Sequence, residues 1–225
     1  MKKVSIILLF VIMVCLPYIS VYAQTTDFGA IVGAGYSGKI VKGFGYSVEG
    51  EVKTGGNFTE FNRFKVSGGF GYSFWKSRFK VSADFDYILK NRQTYMENRY
   101  RVSGGLTYSE KIRSFKLSLR SKYQASFYDE SRAPHKYNPK TYIRNRFEIS
   151  YSFFSKPVKL YASTEMFIRL YRKDARFIDE MRTVVGVTYR LNKNNSLDFY
   201  LRADNEVQVK NPANIYYIGV GYSFK

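Results

Sequence analysis

From residue 28 to residue 224 nearly every second side chain is apolar or aromatic, and the residues between are small, polar or charged. Tyr216, Ile218, Val220, Tyr222 and Phe224 alternate with Tyr217, Gly219, Gly221 and Ser223. In a strand these two sets point to opposite faces, so one face is greasy and the other is not. The pattern recurs in segment after segment of about ten or more residues, long enough to cross a bilayer when tilted. Lipid admits strands only where every backbone group is paired, which requires the sheet to close on itself. The fold class expected is all-β, a transmembrane antiparallel β-barrel.

An export signal precedes the array. MKKVSIILLFVIMVCLPYISVYA carries two lysines, an apolar run from Val4 to Leu16, and small residues at Val21 and Ala23 ahead of Gln24. It reads as a cleaved signal peptide over 1–23, followed by a barrel domain over 24–225. Cys15, the only cysteine, leaves with the signal, so the mature chain holds no disulfide. Removing the two lysines leaves 34 Lys and Arg against 18 Asp and Glu, a net charge of +16. The cations alternate within strands instead of forming one patch, which argues against nucleic acid as a partner. A mean hydropathy of −0.32 fits a barrel, since only the outward half of each strand meets lipid.

Connections alternate short and long, as in outer-membrane barrels with short periplasmic turns and longer external loops. Aromatics gather at strand ends in two girdles. One comprises Tyr36, Phe44, Phe74, Trp75, Phe79, Tyr108, Phe115, Phe153, Tyr189 and Phe224, and the other Phe61, Tyr87, Tyr100, Phe127, Tyr142 and Tyr171. About eleven strand segments can be counted, whereas single-chain bacterial barrels have an even number. The expectation is therefore ten or twelve strands, with Phe28 to Tyr36 the weakest segment because its inward set is Gly29, Ile31, Gly33 and Gly35.

The inward faces carry the charges, and acidic and basic residues on neighbouring strands can pair across the sheet. The expected lumen lattice comprises Glu49, Glu51, Arg63, Arg99, Arg101, Arg120, Arg144, Arg146, Glu148, Glu165, Arg182, Arg190, Arg202 and Glu206. Lys53, Lys65, Asp84, Asp86, Lys122, Asp198 and Asp204 lie on the same faces. Such a lattice either fills and stiffens the barrel or lines a conduit whose Arg and Lys favour anions. Basic residues near the long loops (Lys90, Arg92, Arg132, Lys136, Lys140, Arg172, Lys173, Arg176 and Lys210) offer contacts to lipopolysaccharide phosphates. An enzyme needs a nucleophile, a base and an orienting group. The single histidine, His135, sits in RAPHKYNP, and no GxSxG and no metal or cofactor spacing is present.

Several stretches carry a family likeness. NRYRVSGGLTY, NRFEISYSF, LYASTEMFIRLY and DEMRTVVGVTYRLNKNNSLDFYL, with strands running Arg101 to Tyr108 and Arg182 to Tyr189 and the pair Glu165 and Phe167, resemble bacterial outer-membrane proteins known only as a domain of unknown function. The resemblance covers most of the chain after the signal. It implies a small barrel delivered by the outer-membrane assembly machinery, and no activity. The resulting expectation is a non-enzymatic outer-membrane barrel of a two-membrane bacterium, in contact with outer-membrane lipid and without a cofactor. The alternatives are a small anion-preferring channel and a lipid-modifying enzyme.

Overall fold

The alternation produces eleven strands in a computed structural model that describes residues 25–129, 139–171 and 177–225. The segment 1–23, His135, Arg132, Lys136, Arg172, Lys173 and Arg176 lie outside the described residues. The strands are β1 (Thr25–Val41), β2 (Phe44–Gly55), β3 (Glu60–Phe74), β4 (Phe79–Asn91), β5 (Met96–Ile112) and β6 (Phe115–Tyr128). They continue as β7 (Lys140–Ser152), β8 (Val158–Arg169), β9 (Ile178–Arg190), β10 (Asn195–Glu206) and β11 (Ala213–Phe224). Each pairs with its sequence neighbours, and β1 with β11 closes the barrel. No helix among the described residues is long and apolar enough to cross a membrane, which leaves crossing by strands open.

Burial is inverted relative to a water-soluble protein. Among the described residues five hydrophobic ones are buried, Ile31, Ile88, Ala162, Phe167 and Tyr217, against thirteen buried polar or charged ones. The outward set stands exposed instead, with Val32 at 60 %, Phe70 at 57 % and Leu201 at 64 %. An apolar exterior around a polar interior is the arrangement that a hydrocarbon solvent selects.

The strand count corrects the expectation of ten or twelve. All other neighbours are antiparallel, so with eleven strands the first and last run the same way and closure must be parallel. Twelve residue pairs join β1 to β11, from Thr25↔Ala213 to Tyr36↔Phe224. The evenness rule assumes antiparallel closure; a parallel ladder satisfies the same backbone groups. The segment Phe28 to Tyr36 is thus part of the wall. Its inward glycines allow this: a Cβ at Gly29 would lie 2.3 Å from the Thr54 carbonyl oxygen and 2.8 Å from the Tyr217 ring. Outside, Phe28 stacks on Tyr216 at 5.7 Å and Tyr36 meets Phe224 at 5.3 Å, so aromatic pairs bridge both ends of the seam.

Asp27 anchors the start of β1. Its carboxylate accepts backbone N–H bonds from Phe28 at 2.8 Å, Gly56 at 3.1 Å and Asn57 at 2.9 Å. Asp27→Ala is expected to cost about 1 kcal/mol of local stability. Hydrogen exchange at Phe28 to Ala30 should accelerate while mid-barrel amides stay protected.

The girdle expectation needs one amendment. Tyr142 opposes Gln124 on β6 and Arg169 on β8, turns into the lumen and donates to Asp179 at 3.3 Å. One-residue parity decides this, because the outward positions of β7 are Ile143, Phe147, Ile149 and Tyr151.

Candidate functional site

Pleating gathers the inward charges, and register sets them against one another. Arg146, Glu165, Arg182 and Asp204 stand directly opposite in sequence on β7, β8, β9 and β10. Two buried carboxylates act as hubs. Glu165, with 4 % of its side chain exposed, accepts from Arg120 at 2.7 Å and bidentately from Arg144 at 3.1 and 2.9 Å; Arg182 lies at 3.9 Å. Asp204 accepts from Arg182 at 2.8 Å, from Arg202 at 2.7 and 2.5 Å, and from Lys53 at 3.4 Å. Arg182 therefore links the two hubs, and the chain of ion pairs runs from β6 through β10 to β2. Charge-assisted forks of this kind fix side chains in one geometry.

The opposite wall continues the belt in smaller units. Glu51 pairs with Arg63 at 2.8 Å and Lys65 at 3.4 Å, and Lys65 also reaches Glu49 at 3.3 Å. Lys122 binds Asp84 at 2.7 Å across the intervening β5, and Arg101 lies 3.5 Å from Asp86. Nearer the long loops Glu97 accepts from Arg99 at 2.7 Å and Arg92 at 2.6 Å. On the other side of the belt Arg146 binds Glu148 at 2.6 Å. Aromatic faces hold some cations: Phe167 lies between the Arg144 and Arg182 guanidinium groups at 4.5 and 4.6 Å, and Lys53 sits 3.7 Å above Tyr217.

Two expected members stand apart. Among the described residues Arg190 makes no ion pair; it is exposed on the inward face at the short-turn end. Glu206 accepts only the Ala213 N–H at 3.2 Å in place of a cation. Conversely, Asp204 and Lys53, which the sequence places on the inward faces but not in the expected lattice, hold central places in it. Glu97 was missed, and Phe167 was noted only for its pairing with Glu165 and not as a lumen residue, yet parity pointed to both: each lies two residues from an inward charge, Arg99 and Glu165.

The belt does not fill the barrel. A cavity of about 970 Å³ extends from Glu206 and Val209 near the long loops to Ser47 and Asp198 past mid-strand. Its lining holds fourteen Lys and Arg and ten Asp and Glu, an excess of four cations. Lys90 and Lys140 line it without a carboxylate partner among the described residues. Large inward side chains lie along the wall over glycines of the next strand: a Cβ at Gly219 would stand 2.0 Å from the Tyr200 ring, and one at Gly186 would stand 2.6 Å from that of Tyr161. Toward the short turns several inward positions are small, as at Gly45, Gly71, Ser82, Ser109, Ser118 and Gly221, and they alternate round the wall with the long inward side chains of Lys80, Lys116 and Arg190.

A family model described as "Protein of unknown function (DUF2490)" matches residues 29–214. No curated protein matches the chain. Among solved structures an anion-selective porin from Comamonas acidovorans is similar at 12% identity and a TM-score of 0.38, over 85% of this chain and 55% of the porin. The chain thus spans about half the length of that porin, and a likeness this distant carries no argument about function.

Proposed function

The chain belongs to the DUF2490 family, and we propose that it is a non-enzymatic outer-membrane β-barrel whose lumen passes small anionic solutes in preference to cations. The polar cavity of about 970 Å³ with four more cations than carboxylates in its wall carries this reading. Fixed positive charge in a confined passage raises the local concentration of anions and repels cations. Lys90 and Lys140 give that field its accessible part, because the other cations named in the belt are largely neutralised by adjoining carboxylates. The exposed apolar exterior supports membrane residence, and the placing of the longest connections, 129–139 and 170–177, at one end of the barrel supports the outer membrane.

Planar-bilayer recording under a salt gradient tests the reading. Single-channel steps should reverse toward the chloride potential, and Lys90→Glu with Lys140→Glu should move the reversal potential most of the way to zero. Wild-type protein that is folded and inserted but gives no steps would replace the conduit with an ion-paired strut of purely structural role. Lipopolysaccharide as a partner of the long loops draws little support from charge, since the residues at that end are nearly balanced.

A further inference from the structure

The excess charge of the barrel sits at one end. Segments 39–45, 73–80, 109–116, 152–159 and 190–196, which contain the five short turns, together with Lys225 hold thirteen Lys and Arg and a single carboxylate, Glu110. Segments 25–30, 54–61, 90–97, 127–142, 168–180 and 205–214, at the opposite end, hold ten cations and nine carboxylates. Glu110 is taken up by Arg78 at 3.0 Å. The other twelve cations of the short-turn end form no ion pair among the described residues.

A second regularity says what this end meets. At every short turn and at the C-terminus an exposed apolar residue precedes a cation by one or two positions. The pairs are Val41 with Lys42, Trp75 with Lys76, Ile112 with Arg113, Phe154 with Lys156, Leu191 with Lys193, and Phe224 with Lys225. Trp75 is 68 % and Phe154 94 % exposed, and Trp75 stacks on Phe79 of the adjoining aromatic girdle at 5.5 Å. A surface evolved for a soluble acidic partner or a free anion needs the cations but not an apolar residue beside each one. A lipid interface needs both, the apolar side chain at the hydrocarbon edge and the cation at headgroup level.

We propose that the short-turn rim is a collar that binds anionic glycerophospholipid headgroups and so selects the lipid annulus of the leaflet in which it sits. The proposal rests on the reading that the barrel spans a membrane. Each cation at a membrane surface adds to the attraction for anionic lipid, and the ring places one around every hairpin of the circumference.

Trp75, the only tryptophan, stands in the rim and reports on it directly. The refolded barrel is placed in phosphatidylcholine vesicles containing increasing fractions of brominated phosphatidylglycerol or brominated phosphatidylcholine, and quenching of Trp75 is recorded. The anionic quencher should act at least about threefold more effectively at equal mole fraction. That preference should disappear in about 1 M salt. It should also disappear in the variant carrying Lys42→Gln, Lys76→Gln, Arg113→Gln, Lys156→Gln and Lys193→Gln, with heat-dependent gel mobility confirming a closed barrel. Equal quenching by both lipids, or a variant that keeps the preference, would overturn the collar and leave the rim to a soluble acidic partner. Absence of quenching by either lipid would overturn the membrane-spanning reading and the collar with it.

Discussion

Glu165→Gln is expected to lower the unfolding free energy of the barrel by about 3 kcal/mol, the cost of removing one partner from a buried ion cluster. The substitution keeps volume and shape, so the loss reports charge. Glu165 is only 4 % exposed and faces three guanidinium groups, of Arg120, Arg144 and Arg182, whose side chains are 25, 12 and 18 % exposed. Without the carboxylate these cations repel one another in a space too enclosed for full hydration. Glu49→Gln is the control. Its carboxylate is 52 % exposed and 3.3 Å from Lys65, and its loss should cost less than about 1 kcal/mol. Urea titration of the refolded barrel in vesicles compares the two. Equal midpoints would mean that water reaches Glu165 freely and that the belt contributes little to holding the wall together.

Cysteines at Ala30 and Ile218 should form a disulfide almost completely under mild oxidation and make the barrel resist thermal unfolding. The two residues oppose one another in the parallel ladder of β1 and β11, both pointing outward, within the Cα separation that a disulfide requires. The bond would close a loop of nearly the whole barrel, for which chain-entropy reasoning gives about 5 kcal/mol. With Cys15, the only native cysteine, replaced by Ser, the crosslink is unambiguous. Reducing gels should restore the heat-dependent mobility shift that oxidation removes. A ten-stranded barrel closed by β2 against β11 would leave Ala30 off the wall, and failure of this pair to oxidise in folded protein would sink the eleven-stranded closure.

The collar and the conduit make different demands on one molecule. The conduit depends on Lys90 and Lys140 near the long loops, whereas the collar depends on turn residues at the far end. Either can fail without the other, provided that the barrel inserts. Inward Lys80, Lys116 and Arg190 stand at the short-turn mouth, so the proposed conduit would meet positive charge at that end as well.

Much of this was legible in the chain itself. Period-two alternation fixes which residue faces out, because a one-residue slip would place every apolar side chain in the lumen. Strand identity, the polar interior and the turn positions follow from it, as does the location of Glu165, Arg182 and Arg202 on inward faces. Alternation is silent where it weakens: Tyr142 next to Ile143 reads as a girdle residue until neighbouring register assigns it inward.

Closure and partner choice belonged to the tertiary structure alone. Alternation along a strand carries no information about the strand beyond the next one, so the parallel seam of β1 and β11, and hence the odd number, was invisible until the sheet curled round. Partner choice depends on reach as well as register. Arg146 stands opposite Glu165 yet bonds to Glu148, while Arg120, two strands away, takes the place at Glu165. Long flexible side chains in a curved wall meet across its chord, and a linear sequence specifies the faces but not the chords.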